Sequence, residues 1–215
     1  ALVGPDGRYG RDDLARKGAR IFLSPAARAQ VRAEMRAQFD LYRATGLPLA
    51  HVDFHHHYHH HPTVFAIAVE LAADYGAPAI RRPWEPPLAS WLARRDRLGD
   101  RLFNGLAFWP LAWLMRRRAR AKGLLVNDRA FGVTDSGRMD ARTVGDYLDH
   151  LPDGLNELYC HPATGRWETR PMPDHYWIEA EFEALVDPAN RARVAANGIR
   201  LTRFDREAAA LAGRA

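Results

Sequence analysis

Leu47-Pro-Leu-Ala-His51-Val-Asp53-Phe-His55-His56-His57-Tyr-His59-His60-His61-Pro62 is the stretch on which the reading of this chain turns. Seven of its ten histidines lie between His51 and His61, broken by Asp53, Phe54 and Tyr58. Leu47 to Phe54 reads as a strand running into the histidines. Pro62 reads as the first turn of a helix, where its fixed φ and missing N–H cost nothing. Side chains alternate along a strand, so His51, Asp53, His55, His57 and His59 are expected on one face. That face would carry four imidazoles and a carboxylate. Imidazole is the commonest protein ligand of Zn²⁺, and a ligating histidine is often held by a nearby carboxylate. The place is also suggestive, because α/β barrels carry their sites where strands end and helices begin. An ordered metal site is the sharper reading; a His-rich surface loop that binds metal weakly is the plainer one. The spacing does not say which histidines would ligate, and it is not the helical His-Glu-x-x-His pattern.

On the N-terminal side, Ser24-Pro25 predicts a capped helix start. Val31, Met35, Phe39 and Tyr42 form its expected inner stripe, and Gly46 and Pro48 its end. Residues 1–23 read as loop. On the C-terminal side, Val64, Ile67, Ala68, Leu71 and Tyr75 repeat at helical spacing until Gly76, and Ala77 to Arg81 reads as a second strand. Helix, strand, helix, strand is the rhythm of a parallel α/β fold. Residues 83–101 read as loop. Thr143 to Leu151 is expected to be helical, and Gly154 to Tyr159 a strand ending in Cys160-His161-Pro162. A helix is predicted over Tyr176 to Leu185 with Ile178, Phe182 and Leu185 inward. Another starts at Asp187-Pro188 and stops at Asn197-Gly198, and Ile199 to Phe204 is expected to be a last strand.

Leu102 to Met115 is densely apolar, with Trp109 and Trp113, and is followed by Arg116, Arg117, Arg118, Arg120 and Lys122. Two readings stand. One is a buried helix whose solvated basic end complements the helix dipole. The other is an interfacial segment with aromatics in lipid and arginines on anionic headgroups. It is too short and interrupted to cross a bilayer.

Elsewhere, His161 ends a predicted strand and could serve as a general acid or base, since imidazole titrates near neutrality. It could equally cap the strand end. Cys160 reads as a core thiol. Arg81, just past a strand end, could hold a carboxylate or a polarised substrate oxygen. Asp128 and Asp135 could bond sugar hydroxyls or simply form turns. There is no phosphate-cradling glycine loop and no nucleophile elbow. The chain has 215 residues, 47% of them apolar and 27% charged, which suits one domain over residues 1–215. Its net charge is +5, yet no nucleic-acid-binding motif accompanies it. One cysteine allows no internal disulfide, so a reducing, cytoplasmic setting is expected. The N-terminus lacks the features of a signal peptide and begins as if in mid-domain.

Together these segments resemble the YdjC-like carbohydrate deacetylases. The family pattern His-x-Asp-Ser-His-x-His-x-His corresponds to His51-Val-Asp53-Phe-His55-His56-His57-Tyr-His59, with Phe54 in place of Ser. A second segment, Leu-Pro-x-Gly-x-x-Glu-x-x-x-His-Pro, corresponds to Leu151-Pro-Asp-Gly154-Leu-Asn-Glu157-Leu-Tyr-Cys-His161-Pro162. Tyr42 to His51, Asn127-Asp128 with Phe131-Gly132, and His161-Pro-Ala-Thr164 look like the hopanoid-biosynthesis-associated branch (HpnK). The resemblance runs from Asp6 to Phe204.

What the resemblance implies is a (β/α) barrel-like fold and a divalent metal, Mg²⁺ or Zn²⁺. It also implies removal of an N-acetyl group from an amino sugar, on the closest branch an N-acetylglucosaminyl hopanoid lipid. On the family pattern His55 is a metal ligand, His161 the acid for the leaving amine, Arg81 a strand-end arginine near the site, and Asp53 the partner that orients a histidine. His57, His59, Glu85 and Asp128 are the candidates for binding substrate. A lipid-linked substrate would bring peripheral contact with the inner membrane. The family's N-terminal Asp-Asp and Gly-Leu-His-Leu segments, which supply the base and further ligands, are not in this sequence. The expectation is therefore an N-terminally incomplete barrel that is inactive by itself and prone to form a homo-oligomer. A His-rich metal-binding protein and a non-catalytic remnant of the fold are the alternatives.

Overall fold

The computed structural model describes Leu2 and residues 14–166 and 173–213, and these fall into two compact units. The first comprises Ala1–Arg81, Trp113–Val126 and Arg203–Ala215; the second comprises Arg82–Ala112 and Asn127–Thr202.

In the first unit, helix α1 (Leu14–Leu23) occupies part of what the sequence reads as loop. Ile21 is its buried anchor, in a cluster with Leu2, Ala27 and Val64. Helix α2 (Pro25–Ala44) starts as expected, with Ser24 Oγ accepting the Ala27 N–H at 3.3 Å. Its stripe is shallower than expected: Ala27 alone is buried, Val31, Met35 and Phe39 are half-buried, and Tyr42 is exposed. Helix α3 (Pro62–Asp74) is the core helix, burying Val64, Phe65, Ile67, Ala68, Val69, Leu71 and Ala72. It stops at Gly76, whose φ of +73° needs no Cβ.

Three extended segments of this unit lie side by side and parallel. Val52 bridges Ile80, and Ala79 bridges Leu125. The bonds include Val52 N–H to Ala79 O at 3.0 Å, Arg81 N–H to Val52 O at 2.9 Å and Ile80 N–H to Leu125 O at 2.9 Å. The expected strand does not continue through the histidines, however. After extended Phe54 the backbone winds into a 3₁₀ helix over His55–His60. His61 returns to the extended conformation, as a residue before proline must. Helix α10 (Phe204–Ala212) closes the described chain, and the last strand expected over 199–204 is not formed.

The second unit contains helix α4 (Pro87–Arg94), where the sequence reads as loop, and helix α5 (Leu98–Ala107), which starts in that expected loop and continues into the apolar run from Leu102. Its strands β1 (Arg129–Phe131) and β2 (Asn156–Leu158) pair in parallel, Ala130 opposite Glu157. Trp84 extends the arrangement, accepting the Ala130 N–H at 2.9 Å. Helix α7 (Ala141–Leu148) packs Val144, Tyr147 and Leu148 against Phe131 and Met139. Helices α8 (Ile178–Val186) and α9 (Pro188–Ala196) follow, the second capped by Asp187. On α8 the inward face is Ile178, Glu181 and Ala184, while Phe182 and Leu185 point outward. Ile178 is inward as expected, while the other two expected positions lie one residue past the buried ones because a buried glutamate interrupts the apolar pattern. Helix α6 (Trp109–Ala121) begins in the second unit and runs into the first.

Parallel strand pairing with intervening helices makes the fold α/β. Among the described residues the strands do not close into a barrel, and no helix is long and apolar enough to cross a membrane.

Candidate catalytic residues

In the first unit the Val52–Ile80 bridge sets Asp53 and Arg81 next to each other at the ends of their segments. Arg81 Nη1 donates to Asp53 Oδ2 at 2.7 Å; the arginine side chain is 5% exposed and the aspartate 37%. A buried guanidinium thus fixes a half-open carboxylate beside the histidine stretch. His51 stacks on Phe204, ring centroids 4.9 Å apart. Partial burial pushes its pKa below the usual histidine value; Asp53 and Asp205 pull upward and Arg81 downward.

The 3₁₀ turn redistributes the histidines. A period near three replaces the alternation expected of a strand, so His51, Asp53, His55, His57 and His59 do not share a strand face. His55 opens the turn and is exposed. The side chains of His57 and His59, read as substrate-binding, lie outside the described residues, as does that of His56. His61 has a role in the fold itself. Its Nδ1 accepts the Val64 N–H at 3.4 Å, capping α3, and its Nε2 lies 3.0 Å from Gly18 O. Among the described residues no three His, Cys, Asp or Glu side chains gather into a metal-binding group. Asp53 is paired with Arg81. The described donors therefore do not by themselves build a metal site.

In the second unit His161 lies three residues past the end of β2. Its backbone N–H donates to Glu181 Oε2, while Glu181 Oε1 accepts the Met139 N–H at 3.1 Å. Glu181 is fully buried. The His161 ring stands 4.6 Å from that of Tyr159 and 4.7 Å from that of Tyr176, and its Nε2 is 2.7 Å from the Tyr159 hydroxyl. Tyr176 is in turn tied to Ser136, their hydroxyls 3.2 Å apart. Its ring approaches Gly137 so closely that an added Cβ would stand 2.4 Å from a ring carbon, and Gly137 has a φ of +79°. Cys160 packs against the cluster of Phe131, Met139 and Tyr147, as a core thiol.

Glu85 and Asp128 are committed to internal bonds. Glu85 is buried: Oε1 accepts from Ser90, from Arg101 Nη1 at 3.2 Å and from the Tyr147 hydroxyl at 3.0 Å, and Oε2 accepts the Thr134 N–H at 2.8 Å. Arg101, fully buried, also bonds Asp135 at 3.1 Å and Asp96 at 2.6 Å. Desolvation opposes its charge, but Tyr147, Asp96, Asp135 and Glu85 together hold its pKa above the usual arginine value. Burial, then Glu85 and Asp135, push the Tyr147 hydroxyl far upward, so it stays a neutral donor. Asp128 Oδ2 accepts the Leu155 N–H at 3.0 Å beside Gly154. Asn127, fully buried, ties Arg82 to Arg129 through their backbones. Sequence reasoning missed Glu181, Tyr159 and Tyr176; a glutamate at an inward helical position of α8 was the one available signal.

A family model described as "YdjC-like protein" matches residues 1–196. A curated "Carbohydrate deacetylase" of Brevibacillus brevis is 36% identical over 186 residues, covering 77% of this chain and 71% of the relative. No solved structure matches the chain.

Proposed function

The chain belongs to the YdjC-like family, and from that premise we propose that it is a carbohydrate deacetylase hydrolysing the N-acetyl group of an amino sugar. The observation that carries this reading is the seat of His161 at the end of β2, held by Glu181 and flanked by Tyr159 and Tyr176. A general acid must be held in one orientation to deliver a proton to one atom. In the hydrolysis, water oxygen bonds to the acetyl carbon, the C–N bond breaks, acetate leaves, and the amine nitrogen takes a proton. His161, as imidazolium, supplies that proton. Arg81 holds Asp53, which orients a neighbouring histidine of the 51–61 stretch.

A divalent cation, Mg²⁺ or Zn²⁺, with His55 among its ligands, belongs to the same proposal. Held there, such an ion would supply water activation and polarisation of the acetyl oxygen. The substrate proposed is lipid-linked, an N-acetylglucosaminyl hopanoid processed at the inner face of the membrane; the similarity of Tyr42 to His51 and of His161 to Thr164 to that branch supports it.

The test is acetate release from N-acetylglucosaminyl hopanoid with added Zn²⁺ or Mg²⁺. It is run on the 215-residue chain and on the chain joined to a family segment bearing the Asp-Asp and Gly-Leu-His-Leu motifs. Acetate from the joined form, lost with chelator, is the expected result. No acetate from either form, with hopanoid or with soluble N-acetylated oligosaccharides, contradicts the reading.

A further inference from the structure

Helices α5 and α6 turn their largest apolar side chains toward water. Phe103 is 72% exposed, Leu106 64%, Trp109 54% and Trp113 52%. The residues these helices bury are Arg101 and Gly105 on α5 and Ala112, Met115 and Ala119 on α6. A helix of a water-soluble fold normally does the reverse, keeping bulky apolar groups inside. The buried-helix reading of 102–115 is thus overturned for its aromatic residues.

The charge pattern says what would cover them. No carboxylate occurs in the sequence between Arg101 and Asp128, while Arg116, Arg117, Arg118, Arg120 and Lys122 crowd the end of α6. Positions 109, 113, 117 and 120 of a helix fall on one side, three or four residues apart. That side therefore reads Trp, Trp, Arg, Arg along its length. The Arg117 guanidinium lies 5.6 Å from the centre of the Trp113 ring. Arg118 is used by the fold, donating to Pro62 O at 3.0 Å, whereas Arg117, Arg120 and Lys122 are exposed. Indole rings favour the boundary between headgroups and acyl chains, and arginines next to them favour lipid phosphates. The geometry points to a docking surface for an anionic phospholipid bilayer on the outward side of α6. The helix lies on the membrane rather than through it.

The experiment is co-sedimentation of the full chain with vesicles of phosphatidylglycerol and phosphatidylcholine in equal parts, and with pure phosphatidylcholine. Three proteins are compared: the unmodified chain, Trp109→Ser with Trp113→Ser, and Arg117→Gln with Arg120→Gln. All four positions are exposed, and far-ultraviolet circular dichroism checks that the variants fold. The unmodified chain is expected to sediment with the anionic vesicles and far less with the neutral ones. The tryptophan pair should abolish binding. The arginine pair should weaken it by about thirtyfold, at about fivefold for each basic residue at an anionic surface. Equal binding by all three proteins, or none by the unmodified chain, overturns the proposal. So does a dimer in sedimentation velocity that the tryptophan pair abolishes, since the face would then belong to a second copy. Because no turnover is read, failure here leaves the deacetylase reading standing.

Discussion

Two regions of this molecule offer imidazole at the end of an extended segment, and they are held in opposite ways. The turn at 55–60 is a single 3₁₀ segment that begins with an exposed His55. The strand end at His161 is fastened from behind by a buried carboxylate and from the sides by two tyrosine rings. Of these two imidazoles, His55, from the denser cluster, is thus the less enclosed. A residue is poised for a task by what packs and bonds around it, not by how many of its kind are neighbours in sequence. On this view His55 supplies a donor at a surface, and the His-Pro end supplies a fixed group with one defined direction.

Substitutions can break or sharpen that contrast, and their effects should fall in a set order. The largest concerns the buried ion network behind the strand end. Arg101→Met leaves Glu85 and Asp135 buried without their main cation, and should cost about 3–5 kcal/mol in urea unfolding. Glu181→Leu strips the acceptor from the Met139 and His161 N–H groups and should cost about 3 kcal/mol, at roughly 1–3 for each orphaned donor. A loss under about 0.5 kcal/mol there, the size of an ordinary surface change, would mean that the strand end is not fastened as described. His61→Ala removes the cap of α3 and should cost about 1 kcal/mol. His55→Ala should stay within about 0.5 kcal/mol, as an exposed site does. If His55 and His61 cost the same, the division of the stretch into a fold residue and a surface donor fails.

The smallest effect is one of pH. Burial lowers the pKa of His51 in the folded chain below its ordinary value of 6.5. The unfolded chain then binds the proton more readily, so stability is fully kept above that value and declines as pH falls below it. Replacing His51 by Phe, which preserves the stacking on Phe204, should remove that part of the decline when melts are compared between pH 8 and pH 5.

Much of the α/β plan was legible because local signals were strong. Ser24-Pro25, Pro62 with Gly76, and Asp187-Pro188 mark helix ends by capping chemistry that needs no tertiary context. The strand at 156–158 and its parallel pairing also follow the pattern. What escaped was set by tertiary contacts. Helix α4 and the start of α5 looked like loop because α5 buries an arginine, whose partners at positions 85, 96 and 135 no local pattern reveals. The strand expected through the histidines winds up before Pro62, and Phe103, Leu106, Trp109 and Trp113 of the apolar run face outward while Ala112 and Met115 are buried. His161, Asp53 and Arg81 were singled out from the sequence; Asp53, expected to orient a histidine, lies on Arg81. Glu181 and Tyr176 reach His161 from 20 and 15 residues away in the chain, and only folding brings them there.

The most direct test of the contrast is the rate of acetate release, in whichever form of the chain turns over, for His161→Ala against the unmodified protein. A positioned acid contributes about 10²- to 10⁴-fold, so the rate should fall by that factor while the far-ultraviolet spectrum is kept. Tyr159→Phe should fall less, and mainly in kcat. A His161→Ala protein that keeps its rate would contradict the account and move the chemistry to the histidine turn.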